Sequence, residues 1–256
     1  MGAKPPRRTI LKVRLDKLVV ARGFASSRER AQALILAGKI LVNEQKIAKA
    51  GHAVDEGASL RLLGEDLRYV SRGGLKLEKA LQHFQIDVRG LVCVDVGAST
   101  GGFTDCLLQH GAKRVIAIDT GYGQIAHTLR NDPRVALLER TNARHLQPSD
   151  LPEPADLVAM DVSFISATLI LPAVVAAAFP GDRSGKRLVV LVKPQFEVGR
   201  ELVGKGGIVR DEAAQQSAVE KVRQALIEAG CEHTDLVESP ILGTEGNREF
   251  LLFGEF

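Results

Sequence analysis

Five short apolar runs, at residues 91–96, 115–118, 135–138, 157–160 and 188–192, recur through the chain with longer mixed stretches between them. Each run is too short for a core helix and rich in Val, Ile and Leu, so each reads as a strand buried on both faces. Helix-length segments at 105–110 and 165–179 lie between them. Strands that run parallel need crossover connections, and this alternation supplies them, which leads to a mostly parallel sheet covered on both sides. The expected fold class is α/β, doubly wound. A helix over 212–229 and two late strands at 234–237 and 250–253 complete it, with Leu251 and Leu252 burying the last.

A chain of 256 residues has room for such a domain and one small appendage. Charge says where the appendage is. Residues 1–50 hold 12 Lys/Arg against 3 Asp/Glu, whereas residues 51–256 hold 22 against 28. Clustered cations of this kind suit phosphate attraction and counterion release. Leu15, Leu18 and Val19 mark a first short helix stopped by Gly23, and Ser26 with Glu29 reads as a capping box for a second helix carrying Ala31, Leu34 and Ile35 to Gly38. Short strands follow at 40–42 and 59–63, giving an ααβ unit over 1–63. Arg14, Arg22, Arg28, Arg30 and Lys39 fall off the apolar stripes, where they are available to RNA phosphates. The run GEDLRYVSRGG at 64–74 reads as a linker, and 75–256 as the main domain.

Other classes are disfavoured. Cys93, Cys106 and Cys231 show no CxxC or Cys/His ligand spacing, which argues against a disulfide scaffold and any metal site and fits a reducing cytoplasm. No run reaches 18 apolar residues and the first ten are polar and basic, so neither secretion nor a membrane partner is expected.

Chemistry concentrates at strand ends. The first strand ends in Asp95 and turns into a helix through Gly97, Ser99, Gly101, Gly102 and Phe103, which places free backbone N–H groups where open α/β sheets bind ligands. The spacing is not the dinucleotide GxGxxG. Asp119, closing the second strand, suits ribose hydroxyls of a nucleoside. GASTG also matches the nucleophile elbow GxSxG at Ser99, but His233 alone follows the late strands as a partner and reads as a solvated edge residue. Lys193 closes the fifth strand, an uncommon place for a charge without a compensating group, and Asp161 closes the fourth, so the two can converge on one crevice. Cys93 and Cys106 read as core thiols, not as nucleophiles for pyrimidine carbon methylation.

Three resemblances sit on these residues. The run RLDKLVVARGFASSRERAQALILAGKILVNEQKI within 14–63 resembles the RNA-binding domain of small-subunit ribosomal protein S-four, which implies recognition of folded RNA by its shape. DVGASTGGFT resembles motif one of S-adenosylmethionine-dependent methyltransferases, implying a Rossmann-like methyltransferase sheet and S-adenosylmethionine as cofactor. The segments VSRGGLKL, DTGYGQ, LERTNAR, DVSFIS, LVKPQFEVG, GKGGIVRD and EGNREF, in that order, resemble the TlyA family of ribosomal RNA 2′-O-methyltransferases, with a catalytic domain of FtsJ type.

That resemblance implies a catalytic set of Lys76, Asp161, Lys193 and Glu249, cofactor positions at Tyr122, Asn142 and Asp161, and ribosomal RNA or ribosomal subunits as partner. Lys193 is the expected proton acceptor. Phe164 and Phe196 follow the catalytic strand ends, placed either to flank a displaced nucleotide or to pack in the core. Within the family, substrate range goes with the chain ends, and a chain ending at Phe256 implies the narrower range. Two other functions stay open at this point: a non-catalytic ribosome-assembly factor, and a membrane-active protein of the kind the family's association with haemolysis implies.

Overall fold

The computed structural model describes residues 12–25, 27–63, 68–243 and 245–256, and the chain divides into two units, Met1–Leu67 and Arg68–Phe256. The first contains β1 (Lys12–Arg14), α1 (Leu15–Ala21), α2 (Arg28–Leu36), β2 (Ile40–Val42), β3 (Gln45–Lys46), β4 (Ala53–Asp55) and β5 (Leu60–Leu62). Leu15, Leu18 and Val19 of α1 share one core with Ala31, Leu34 and Ile35 of α2 and with Ile40, Val42 and Val54 from the strands. The apolar spacing read from the sequence is thus the spacing of this core. Helix α2 is capped by Ser27, whose hydroxyl accepts from Arg30 N at 3.2 Å, whereas Ser26, the cap expected from the capping-box pattern, lies outside the described residues. Strand β2 lies between β3 and β5, and β1 pairs antiparallel with β4 in a two-stranded ribbon. That ribbon puts a strand before the first helix, where the sequence pattern predicts none.

The second unit runs α3 (Gly73–His83), β6 (Val92–Val96), α4 (Gly102–Gln109), β7 (Arg114–Ile118), α5 (His127–Arg130), β8 (Val135–Leu138), β9 (Leu157–Met160), α6 (Leu171–Ala178), β10 (Arg187–Val192), α7 (Pro194–Glu197), α8 (Glu212–Glu228), β11 (His233–Glu238) and β12 (Phe250–Glu255). Its seven strands lie in the order β11-β12-β10-β9-β6-β7-β8. Neighbours are parallel except at β12, which is antiparallel to both β10 and β11. Successive residues of β6 point to opposite faces: Val92, Val94 and Val96 pack toward α6 and α8, and Cys93 toward α3 and α4. Burial on both faces explains why these strands are continuous apolar runs without alternation. Residues 68–74, read from sequence as the end of a linker, pack within this unit. Tyr69 is buried, Val70 N donates to Asp105 Oδ2 at 2.8 Å, and α3 begins at Gly73.

From β6 the chain winds outward through β7 and β8, then returns to build β9 and β10 on the other side. The strand order reverses between β6 and β9, and the carboxyl ends of parallel strands flank a crevice at such a switch point.

Candidate active site

The crevice has a volume of about 460 Å³ and is lined in part by Gly97, Ser99, Asp119, Asn142, Asp161 and Ser163. Gly97 turns away from β6 at φ +86°, and a Cβ there would lie 2.4 Å from the carbonyl oxygen of Asp161. Only glycine lets the ends of β6 and β9 approach this closely while the backbone is left-handed. Asp119 ties two loops together, its Oδ2 accepting from Ser99 N at 2.7 Å and its Oδ1 from Gly121 N at 2.6 Å. Asn142 caps the following turn by accepting from Arg144 N at 3.1 Å.

Asp95, Gly101, Gly102, Phe103 and Tyr122, expected at the cofactor, do not line the crevice. Asp95 is fully buried in β6, and its Oδ2 accepts from Thr104 N at 2.9 Å and Thr104 Oγ1 at 2.6 Å, which pins the first turn of α4. Among the described residues its Oδ1 has no partner. Burial, reinforced by the negative charges of Asp161 and Asp119, pushes this carboxyl up to about 7. Gly101 and Gly102 serve packing, since a Cβ at either would fall 2.3 Å from Leu129 Cδ1 or from Ser71 Oγ. Phe103 is a core residue. Tyr122 is exposed, with the Arg140 guanidinium 4.4 Å above its ring.

The two lysines are compensated separately. Lys193, the residue after β10, has Nζ 2.6 Å from Asp161 Oδ1 and donates to Ser163 Oγ at 2.7 Å. Lys76, buried on α3 beside Leu77, donates to Glu249 Oε2, which is also buried. Register brings the two pairs to one edge. Val192 pairs with Phe250, so Lys193 and Glu249 flank the last rung of the β10–β12 ladder, and Asp161 follows β9 on the other side of β10. All four residues expected in the catalytic set therefore stand at or beside the carboxyl edge.

Sequence reasoning missed Ser163 and Glu197. Glu197 is buried at the end of α7, accepting from Ala167 N at 2.7 Å and from the Ser166 hydroxyl. It fastens the loop after β9 to the segment that begins at Lys193. At the middle of that loop Phe164 is 91% exposed with φ +66°, its ring 5.4 Å from that of half-buried Phe196. Core packing does not describe Phe164. The position of Ser163, two residues past a strand-end acid, is the one signal that pointed to it.

In the first unit the basic residues differ in availability. Asp16 is fully buried and accepts from Arg14 Nε at 3.0 Å and Nη2 at 2.8 Å, from Arg28 Nη2 at 3.0 Å and from Gln32 Nε2 at 3.1 Å. Arg14, followed by the other donors, holds this carboxyl far below the usual carboxylate range against the cost of burial. Arg22 donates to the carbonyl of Glu56 at 2.8 Å. Arg14, Arg22 and Arg28, expected to be available for RNA, are thus bonded to acceptors on the protein, although their side chains remain exposed.

Other chemistries lack their parts. Burial pushes Cys93 and Cys106 up to about 12, which leaves both as protonated core thiols. Ser99 has the left-handed φ of +49° that a nucleophile elbow shows, but His233 begins β11 opposite Glu255, at the amino end of the parallel strands and away from Ser99. No group of ligating side chains suited to a metal occurs among the described residues, and none of their helices is long and apolar enough to cross a membrane.

Comparison with known proteins agrees with the two-unit organisation. Residues 69–256 match the FtsJ-like methyltransferase family and residues 13–60 match the S4 domain. The chain is 47% identical over 245 residues to YqxC of Bacillus subtilis, covering 95% of this chain and 86% of the relative. It is 45% identical to the 16S/23S rRNA (cytidine-2′-O)-methyltransferase TlyA of Mycobacterium tuberculosis, over 94% and 89% of the two chains. A solved structure of a hemolysin candidate from Streptococcus thermophilus is 43% identical, covers 96% of this chain and 89% of that one, and superposes with a TM-score of 0.70.

Proposed function

The chain belongs to the TlyA family, in which an S4 domain precedes an FtsJ-like methyltransferase domain, and we propose that it methylates the ribose 2′-hydroxyl of a cytidine in ribosomal RNA. The observation that carries this reading is Lys193 Nζ held at the carboxyl edge beside Asp161, which lines the crevice next to the glycine turn. A hydroxyl is a weak nucleophile, and its methylation asks the protein for alignment and for a base in hydrogen-bond reach.

The crevice fits S-adenosylmethionine: Gly97 leaves open backbone at the end of β6, and Asp119 presents a carboxylate to ribose hydroxyls. When bound there, S-adenosylmethionine supplies an electrophilic methyl group. Gly97, Ser99, Asp119 and Asn142 hold the nucleoside, and Lys193 takes the 2′-hydroxyl proton on Nζ while Asp161 fixes that ammonium in place. Lys76 and Glu249 keep the β12 end of the edge in register by closing each other's charge. Phe164, exposed on a strained backbone, offers a stacking face for the target base. The first unit docks folded RNA through its basic surface.

The test is methyl transfer to ribosomal RNA, with ribose methylation mapped by mass spectrometry. Incorporation at a cytidine 2′-oxygen is expected. Binding of RNA and S-adenosylmethionine without transfer would instead make the protein a non-catalytic assembly factor, and methylation of a base would overturn the ribose assignment.

A further inference from the structure

Lys193 has two neighbours on the protein, and only one of them is a charge. Its Nζ lies 2.6 Å from Asp161 Oδ1 and donates to Ser163 Oγ at 2.7 Å. Among the described residues no third acceptor meets it. The Asp161 contact is an ion pair, and among the described residues Asp161 Oδ1 accepts no hydrogen bond, so the bond to Ser163 is the directional hold on Nζ. An amine that has shed one proton keeps two N–H bonds, and the one given to Ser163 fixes rotation about Cε–Nζ and with it the direction of the lone pair. With Asp161 alone, Nζ could rotate about the Cε–Nζ bond and the lone pair would have no defined aim.

We infer that Ser163 is a positioning residue for Lys193, acting with Asp161 to aim the nitrogen lone pair at the ribose hydroxyl. The inference rests on the proposed methyl transfer. In the step it serves, the 2′-oxygen forms its bond to the methyl carbon as the methyl–sulfur bond breaks, and the hydroxyl proton passes to Nζ. The sulfur keeps the electron pair of the broken bond.

The surroundings suit this role. Ser163 is exposed in the crevice wall and its side chain holds up no core, so its hydroxyl has no packing purpose. The loop that carries it is fastened at both ends: at Asp161, whose N–H donates to Val96 O at 2.9 Å, and at Ala167, whose N–H donates to Glu197. A hydroxyl set between two fixed points is preorganised, and small errors in such geometry cost large factors in rate.

The experiment compares Ser163→Ala and Ser163→Thr with wild type in single-turnover transfer at saturating RNA and cofactor, across a pH series. Ser163→Ala should lower the plateau rate ~10- to 100-fold with cofactor and RNA affinities unchanged. Ser163→Thr, which keeps the hydroxyl, should restore most of the rate. A wild-type plateau in Ser163→Ala at every pH overturns the proposal, as does a slow Ser163→Thr. Carbon-13 NMR of lysine Cε in the free protein supplies a readout without substrate. Relaxation of the Lys193 signal should show a more mobile amine in Ser163→Ala, and unchanged mobility overturns the proposal even if wild type proves inactive on every RNA tried, a result that would sink the proposed function separately.

Discussion

Each unit hides one aspartate completely, and the two carboxylates are treated in opposite ways. Asp16 in the basic unit accepts from Arg14, Arg28 and Gln32, and these donors outweigh the cost of burial, so its carboxyl is held far below the usual range. Asp95 in the methyltransferase unit has Thr104 on one oxygen and, among the described residues, nothing on the other, so burial prevails and the carboxyl is pushed up to about 7. Equal burial therefore says little about a charge until its donors are counted. The first unit closes its charges to build a shape. The second leaves one oxygen of Asp95, beneath the carboxyl edge, without a donor among the described residues.

The largest effect should come from the open side of this contrast. Lys193→Ala should keep its fold and its affinity for cofactor while losing ~10²–10⁴ in single-turnover methyl transfer. Lys193→Arg should fail as well, because a guanidinium does not release its proton near neutral pH. Rescue by Arg would show that only a fixed positive charge is needed and would remove the base from the mechanism.

Asp95 makes a prediction about stability and pH. Its folded value lies above its unfolded value near 4, so the folded state binds the extra proton and the stabilisation is lost as pH rises toward and through 7. Asp95→Asn, with no proton to lose, should be more stable than wild type by about 4 kcal/mol at pH 8, an advantage that fades to nothing below pH ~4. Thermal unfolding of both proteins across that range checks this. A difference that does not vary with pH would mean that Asp95 does not titrate there.

Asp16 should behave in the reverse sense. Its folded value is depressed, so its contribution is present at all pH above about 4 and is lost only in stronger acid. Asp16→Asn should cost the first unit about 2 kcal/mol at neutral pH, a modest figure because both arginine partners are exposed to solvent. Cofactor affinity should not change. Loss of cofactor binding in this variant would break the separation of the two networks.

The smallest effects concern RNA docking. Reversing Arg14 or Arg28 would strip Asp16 of its donors as well as remove positive charge, so those variants mix stability with binding. Lys39→Gln is cleaner. If Lys39 meets a phosphate, the slope of log affinity against log salt should shrink by about one with unfolding unchanged. An unaltered slope takes Lys39 out of the interface.

Periodicity made the second unit readable. Strands β8 and β9 occupy the predicted residues and β6, β7 and β10 differ from prediction by one residue at the start, because a strand buried on both faces must be apolar throughout and its ends must not be. Gly97 and the strand-end acids Asp119 and Asp161 were legible for a related reason: the carboxyl edge of a parallel sheet is where backbone groups go unpaired. Burial of a face is a local property, written at spacings of two and of three to four residues.

What meets across the fold left no such trace. The ribbon of β1 and β4 joins Lys12–Arg14 to Ala53–Asp55, two three-residue segments with one buried side chain between them, too little for any pattern. The need for glycine at 101 and 102 comes from Leu129 and Ser71, and the orphaned oxygen of Asp95 from the absence of a donor in the layers around β6. The part Ser163 plays comes from its bond to Lys193, thirty residues on. Each is a pairing between distant residues, and pairing depends on strand order, register and rotamer, which local spacing does not encode.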